Sequence, residues 1–246
     1  MSDMRSCLLF HISGAMCSWG SSTSGAYRPT DGYPTKSAIV GILAASLGID
    51  RFDNKRQAQL YADFDYVVIS AGTEEYIADF ATIQTTMMPK GETITSLPPR
   101  AEELSRGELK TIVADRRYLC NGYYTIIVIP IGKSAIPLSE LKRALEHPHY
   151  VPYLGRKSCP LSAPLCPTIE EYESIVQVIK EHKFEPFLKD KDVSIFLSKH
   201  CSPHIYATFK MGGDSFIKRT RADNNPDRDN WQFSERDEFE YLGDWI

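Results

Sequence analysis

Runs of apolar residues along the chain predict three buried strands, and a different spacing predicts a buried helix. The segments SCLLFHIS (6–13), YVVISAG (66–72) and YYTIIVIP (123–130) are dense in β-branched and aromatic residues, which is typical of strands. Residues 35–47, TKSAIVGILAASL, are apolar around almost the whole circumference of a helix, and Thr35 is placed to cap its first turn. We therefore expect strands and helices to share one core.

The second half of the chain continues the mixture of helices and strands. A short helix is predicted at SELKRALEH (139–147). Thr168 and Glu171 have the spacing of a capping box, which predicts another helix across 169–182. Two further strands and a last, acidic segment are predicted at 193–199, 204–211 and 230–245.

Between these elements, residues 76–118 predict a long hairpin. ATIQTTMM (81–88) and LKTIVADRRYL (109–119) look like its two arms, and the polar, proline-rich residues 89–108 lie between them. Excursions of this length are usually functional or partly disordered. The order β-α-β, hairpin, β-α suits a ferredoxin-like α+β sandwich with additions. No linker marks a boundary, so we predict a single domain over 1–246.

Composition is that of a folded protein with a substantial core. The 246 residues are 42% hydrophobic and 24% charged, and no run of 18 apolar residues predicts a membrane span. The first apolar stretch is shorter than a signal-peptide core, so we expect the cytoplasm. The net charge of −4 divides into +1 for residues 1–160 and −5 for the remainder. The first two-thirds of the chain can therefore present a basic surface.

Motifs for metal binding, cofactor binding and catalysis are absent from the sequence. The six cysteines form no CxxC pair, which favours buried free thiols over a zinc site. KHCSPH (199–204) groups two histidines with Cys201, but Pro203 interrupts the helix that an i, i+4 histidine pair needs. There is no GxSxG elbow, Walker loop or GxGxxG after a strand. We predict no metal, no cofactor and no enzyme active site.

Anion binding is the chemistry that the sequence favours. Lys36 and Ser37 open the predicted helix, whose first turn has unpaired amides and partial positive charge, and Arg28 precedes them. From spacing alone, a solvated lysine is an equal alternative. DRRYLC adds a basic pair at the base of the hairpin, Arg116 and Arg117.

The segment YVPYLGRKSCPLSAPL (150–165) is too broken by proline for a helix and too apolar for a flexible linker. It carries Arg156 and Lys157 close to Tyr150 and Tyr153. Cations bind phosphates and aromatic rings stack on bases, so this mixture suits single-stranded RNA. Each basic patch alone is usually a solvated face. Their combination around a ferredoxin-like core favours an RNA-binding protein.

Four motifs resemble the CasD family, which supplies a subunit of Cascade, the type I-E CRISPR surveillance complex. The family has G-x-M-x-x-W-G after a strand, then R-P-T, then P-T-[KR]-S at the start of a helix. Here those positions are Gly14, Met16, Trp19, Gly20, Arg28-Pro29-Thr30 and Pro34-Thr35-Lys36-Ser37. ADRRYLCNGYYTIIV is similar to its R-x-Y-L-C segment, and YVPYLGRKSCPLSAPL matches a family stretch nearly residue for residue. FSERDEF loosely matches its F-x-x-R. The hairpin tip is longer than the family suggests, and residues 168–246 match poorly.

The resemblance implies a fold and a role. The fold is α+β, a modified RRM-like, ferredoxin-like (RAMP) domain with a protruding β-hairpin thumb (76–118) and a small C-terminal β-rich addition within a variable part (168–246). The role is non-catalytic binding of the 5′ handle of CRISPR RNA (crRNA), in contact with the CasC backbone subunit and the large subunit CasA. Target DNA would be met indirectly, through the complex.

The same resemblance implies where RNA would bind. Arg156 and Lys157 would face handle phosphates, and Trp19 or Tyr153 would pack a base, with a core anchor as the alternative for Trp19. The full set of implied RNA-binding residues is Arg28, Lys36, Ser37, Arg116, Arg117, Tyr153, Arg156, Lys157, Met16 and Trp19.

Two other functions remain open at this point. Relatives in type I-C systems cut precursor crRNA, and are believed to use Tyr, Lys and His together. The corresponding segment here, DRRYLCNGYY, has tyrosines but no Lys-His neighbour, and Lys199-His200 lies in the poorly matched part. A protein–protein adaptor without RNA suits the acidic C-terminal part but leaves the phosphate-binding motifs unexplained.

Overall fold

The computed structural model describes residues 4–21, 23, 25–71, 75–86, 99–105, 109–182, 203–212, 215–227 and 232–241. Its helices are α1 (Lys36–Ser46), α2 (Asn54–Ala62), α3 (Arg100–Ser105), α4 (Leu138–Glu146) and α5 (Ile175–His182). Its strands are β1 (Arg5–Cys17), β2 (Trp19–Gly20), β3 (Tyr27–Arg28), β4 (Thr30–Asp31), β5 (Phe64–Ser70), β6 (Tyr76–Thr86), β7 (Leu109–Pro130), β8 (Thr168–Tyr172), β9 (His204–Ala207), β10 (Ile217–Asp227) and β11 (Gln232–Tyr241).

Nine of the strands in these ranges form one sheet around β7. Its main path runs β10-β11-β9-β5-β7-β1-β8, while β3 and β6 also pair with β7. The 22-residue β7 pairs antiparallel with β1 and β5 at its C-terminal end and with β6 at its N-terminal end. One strand therefore belongs both to the core and to the hairpin that extends from it.

The two faces of the sheet bury different apolar clusters. Alternate side chains of β1, β5 and β7, such as Phe10, Val68 and Ile126, pack with α1, α2 and α4. The intervening ones, such as Leu9 and Ile127, pack with α5, β9 and β11. Because both faces are covered, the central strands appear in the sequence as nearly continuous apolar runs.

Most of the predicted elements are present. Helix α1 begins where predicted, and the Thr35 hydroxyl accepts a hydrogen bond from the Ala38 amide at 3.1 Å. The predicted strands at 6–13, 66–72 and 123–130 correspond to β1, β5 and the second half of β7. The predicted strand at 193–199 lies outside the described residues.

Two elements differ from the prediction. Residues 168–172 form β8, which pairs with Arg5–Leu9 of β1, so the predicted helix begins only at Ile175. The open edge of β1 offers these residues a ladder of hydrogen bonds, and this pairing outweighs the capping-box signal. Helix α2 was not predicted, because its sequence, NKRQAQLYA, has few apolar residues.

None of the helices in the described ranges has both the length and the apolar character needed to cross a membrane.

Candidate nucleic-acid interface

A cleft runs between the residues before α1, the Gly155–Arg156 turn and the β10–β11 hairpin. It consists of two adjoining cavities that are both open to solvent. The smaller, of about 380 Å³ and next to the Gly155–Arg156 turn, is called the inner cavity, and the larger, of about 780 Å³ and next to β10, is called the outer cavity. Both cavities are lined by Gly20, Ser21, Thr23, Thr35, Ser37 and Phe233. Three of the four motifs that carry the resemblance to the CasD family thus contribute residues to one opening.

The loop at 150–165 is held rigidly against the start of this cleft. Leu154 is buried, its amide donates to the Cys159 carbonyl at 2.8 Å, and its carbonyl accepts from the Ser18 amide at 3.0 Å. Gly155 has φ +81°, and a Cβ there would lie 1.8 Å from the Ser18 carbonyl oxygen. Only glycine fits this close approach, which places Arg156 at the inner cavity.

Arg156 has a guanidinium nitrogen without a hydrogen-bond partner. Its guanidinium lies 5.0 Å from the centre of the Tyr118 ring, and its hydrogen bond, together with one from Ser158, lowers the pKa of Tyr118. The Nη1 atom is shielded from solvent and has no partner among the described residues. Because this nitrogen is shielded, a ligand in the inner cavity would meet the remaining exposed part of the half-buried Arg156 side chain.

Two further arginines lie on the same side of the sheet. Arg28 of β3 is the register partner of Arg116 of β7, and paired residues share a face. Tyr118, which lies under Arg156, is two residues from Arg116 and so shares that face as well. Arg28 lines the inner cavity and donates to the Thr23 hydroxyl at 2.9 Å.

Arg117 is separated from this group, because successive residues of a strand point to opposite faces. It pairs with Asp115 at 3.6 Å and lies 5.8 Å from the Tyr27 ring centre. Met16, Tyr153 and Lys157 are exposed but do not line the cleft within the described part of the chain.

The prediction that Lys36 takes a phosphate needs correction. Its ammonium donates to the Tyr61 carbonyl at 2.9 Å and lies 5.8 and 5.7 Å from the Tyr61 and Tyr66 ring centres. Burial lowers the pKa of Lys36. Its backbone amide donates to Asp223 at 2.8 Å, so an internal carboxylate already occupies this helix N-terminus. Ser37, in contrast, lines both cavities.

Of the two roles considered for Trp19, base stacking is corrected and the core anchor agrees with its burial. Its side chain is fully buried, and its Nε1 donates to the Tyr124 hydroxyl at 3.1 Å. The two rings meet edge to face with centroids 5.5 Å apart. An RNA base cannot reach a ring in this position.

A buried ion cluster, which the sequence did not predict, fixes the β10–β11 hairpin beside the cleft. Arg236 binds Asp223 through two nitrogens, at 2.6 and 2.8 Å, and Glu238 at 2.7 Å. Arg221 pairs with Glu238 at 3.3 Å and with Asp31. A register shift between Arg221 and Asn224, with one extra residue on β10, coincides with the position of Asp223.

The partners in this cluster are far apart in sequence, and only the fold brings them together. Asp31 and Arg221 are 190 positions apart, while Lys36 and Asp223 are 187 apart. The weak F-x-x-R match, Phe233 to Arg236, was the one sequence signal for this region. Acidic residues of the predicted last segment and of β10 thus partly serve as internal partners for arginine.

Within the described ranges, no three His, Cys, Asp or Glu side chains are placed to hold a metal ion. His200 and Cys201, together with Lys199 of the alternative ribonuclease hypothesis, lie outside the described residues.

Comparison with known proteins agrees with the predicted resemblance. Residues 7–237 match the profile of a CRISPR-associated protein family, Cas5. The chain is 35% identical over 162 residues to the Cascade subunit CasD of the Escherichia coli K12 CRISPR system, an alignment that covers 66% of this chain and 70% of CasD.

Two solved structures have the same fold. A chain from a CRISPR RNA-guided surveillance complex superposes with a TM-score of 0.58 at 21% identity, covering 96% of this chain and 90% of that one. A Cas protein superposes with a TM-score of 0.55 at 20% identity, covering 96% and 94%. The predicted α+β, RAMP-type fold with its protruding hairpin is confirmed, as is the family resemblance. The chain therefore belongs to the Cas5 family of CRISPR-associated proteins.

Proposed function

We propose that this chain is the RNA-binding subunit of a type I-E CRISPR Cascade complex and that it binds the 5′ handle of crRNA at the cleft. The observation that carries the proposal is the arrangement of Arg28, Arg116 and Arg156 on one side of the sheet. The similarity to a protein named as a Cascade subunit supports it.

In this proposal, the arginines bind phosphates and the rigid 150–165 loop fixes their position. Exposed Lys157, beside Arg156, extends the basic surface toward solvent. Arginine suits this task because its planar donors match phosphate oxygens in pairs. About two-fifths of the surface of Tyr153 and of Met16 is exposed to solvent, and neither residue lines the cleft, so they would contact RNA outside it.

We propose that the β6–β7 hairpin is the docking surface for the CasC backbone subunit. A two-stranded hairpin alone is only marginally stable in water, and this one exposes Ile77, Phe80, Ile83, Ile112 and Val113 by between 41 and 66%. Contact with CasA, and through the complex with target DNA, would complete the assembly, which we place in the cytoplasm. We assign the chain no catalytic step.

The first test is binding of the purified chain to labelled CRISPR repeat RNA in EDTA, followed on native and denaturing gels. A shifted band on the native gel with intact RNA on the denaturing gel is expected. Discrete cleavage in EDTA would replace this proposal with a metal-independent endoribonuclease that processes precursor crRNA. Absence of a shift from the chain, and also from its complex with CasC, would contradict RNA binding.

The double variant Arg156→Ala with Lys157→Ala should weaken handle binding roughly tenfold or more, because hydrogen bonds to charged groups contribute about 1.5–3 kcal/mol each. The slope of log K against log salt should flatten by about 0.7 for each phosphate that the variant no longer neutralises. Affinity measured at several salt concentrations checks both.

The matched control is Lys55→Ala with Arg56→Ala on α2, which removes the same charge at two residues that do not line the cleft. It should leave the salt slope nearly unchanged. Equal effects of the two double variants would mean that net charge, rather than the cleft, determines binding.

A further inference from the structure

We infer that the cleft takes one nucleotide turned out of the RNA stack, with Phe233 as the stacking platform for its base. This inference rests on the proposed RNA-binding function and adds a specific residue to it. Phe233 lies on β11, in the C-terminal part that matches the CasD family poorly, and it lines both the inner and the outer cavity.

Phe233 is an exposed aromatic ring at the boundary of the two cavities. Its side chain is 51% exposed, although it lies beside a polar opening. Three residues further along β11, Arg236 forms buried ion pairs with Asp223 and Glu238, which fix this part of the β10–β11 hairpin. The ring is thus held at the cleft by a rigid element, as stacking residues require, because a preorganised platform loses little entropy on binding.

The inner cavity has the charge expected of a phosphate site. Its charged lining residues in the described part of the chain are Arg28 and Arg156, and none is acidic. The acidic residues of the outer cavity, Asp31 and Asp223, are instead engaged with Arg221 and Arg236. A phosphate in the inner cavity would meet the basic side chains of Arg28 and Arg156 without meeting an unpaired carboxylate.

The remaining lining suits the rest of a nucleotide. Ser21, Thr23 and Ser37 line the inner cavity with hydroxyl groups, which can bind a base edge or a ribose 2′-hydroxyl. A volume of about 380 Å³ is at the small end of the range for ligand sites, roughly 300–1,000 Å³. It suits a single nucleotide rather than a stacked stretch of RNA.

The test combines Phe233→Ala with a series of repeat RNAs in which one nucleotide at a time is made abasic. With intact RNA, the full chain carrying Phe233→Ala should bind roughly 5- to 150-fold more weakly, the range expected for loss of one base–aromatic stack. With the RNA that lacks the stacked base, wild type and variant should bind equally. Phe233→Tyr should keep most of the affinity.

Phe52→Ala is the matched control, because Phe52 is 84% exposed and does not line the cleft. It should bind every RNA as the wild type does. If Phe233→Ala binds intact RNA normally, or loses the same factor on every abasic RNA, the stacking platform is wrong while RNA binding stands. If neither the wild-type chain nor the double variant Arg156→Ala with Lys157→Ala binds any of the RNAs, the proposed function fails as well.

Discussion

At the scale of single residues, Arg156 and Lys36 show how the backbone decides which basic side chains face the cleft. Arg156 follows a glycine with positive φ, so its guanidinium lies against Tyr118 with one nitrogen unpaired. Lys36 opens a helix and turns inward to the Tyr61 carbonyl. Both belong to motifs shared with the CasD family, but the contacts favour only the first as an RNA ligand.

Trp19→Phe separates a core role from a stacking role. The substitution removes the Nε1 donor to Tyr124 and part of the packed ring, so we expect the free energy of unfolding to fall by about 1–3 kcal/mol. Urea unfolding measures this change. RNA affinity, measured well below the midpoint of unfolding, should be unchanged, and a selective loss of affinity would restore Trp19 as an RNA contact.

Residue identities were predictable where the physics is local. Thr35 caps α1 because its hydroxyl lies within reach of the Ala38 amide, one of the amides of the first turn that have no partner within the helix. The pairs of Arg221 and Arg236 with distant carboxylates could not be predicted, since nothing in a local pattern indicates which charges meet. The position of Phe233 at the cleft could not be predicted for the same reason, because it depends on how the β10–β11 hairpin packs.

At the scale of elements, the β6–β7 hairpin exposes several large apolar side chains that the isolated chain does not bury. Ile83 and Ile112 are register partners on one of its faces, 44 and 45% exposed. Their apolar surface contributes little to the stability of the isolated chain but would be removed from water in a complex.

The double variant Ile83→Ala with Ile112→Ala should therefore leave the free energy of unfolding within about 1 kcal/mol of wild type and abolish co-purification with CasC. Pull-down from a co-expression strain, together with urea unfolding, tests both statements. The control is Ile131→Ala with Ile169→Ala, two isoleucines exposed by 49 and 37% outside the hairpin. Retention of CasC by the hairpin variant would remove the docking proposal.

Element type followed from the apolar pattern with two exceptions, β8 and α2. Residues 168–172 carry a helix-start signal, yet they complete the edge of β1. Helix α2 lacks an apolar stripe, but an Asp53 carboxylate caps it at 3.1 Å and Leu60 and Tyr61 anchor it. Sheet pairing therefore determines the structure of residues 168–172, and capping with burial of Leu60 and Tyr61 determines that of α2, neither of which the periodicity of apolar residues indicates.

At the scale of the whole molecule, the buried tyrosines set an upper pH limit for folding. Burial raises the pKa of Tyr33, Tyr66, Tyr124 and Tyr206 above the ordinary value, with nearby Glu238 and Glu240 adding to the effect at Tyr33 and Tyr206. The folded chain keeps these protons when the unfolded chain releases them. Their contribution to stability is therefore present below pH 10 and is lost as the pH rises through and above that value.

We expect each of these tyrosines to cost about 1.4 kcal/mol of unfolding free energy at pH 11, one unit above the ordinary tyrosine value. Urea unfolding at pH 8, 9, 10 and 11 measures the trend. Buried Lys36, whose pKa is lowered, acts in the opposite direction, so Lys36→Met should make the decline steeper. A free energy of unfolding that stays level or rises between pH 9 and pH 11 would contradict this account.

The ion cluster joins Asp31 and the α1 N-terminus to β10 and β11, so it can form only late in the synthesis of the chain. The ribosome synthesises the β1 strand, the arginines of the cleft and the 150–165 loop first, whereas Asp223, Phe233 and Arg236 follow much later. Until those residues leave the exit tunnel, the wall of the cleft that carries Phe233 does not exist. In the proposed site, a nucleotide can therefore be enclosed only after residue 236 has left the exit tunnel.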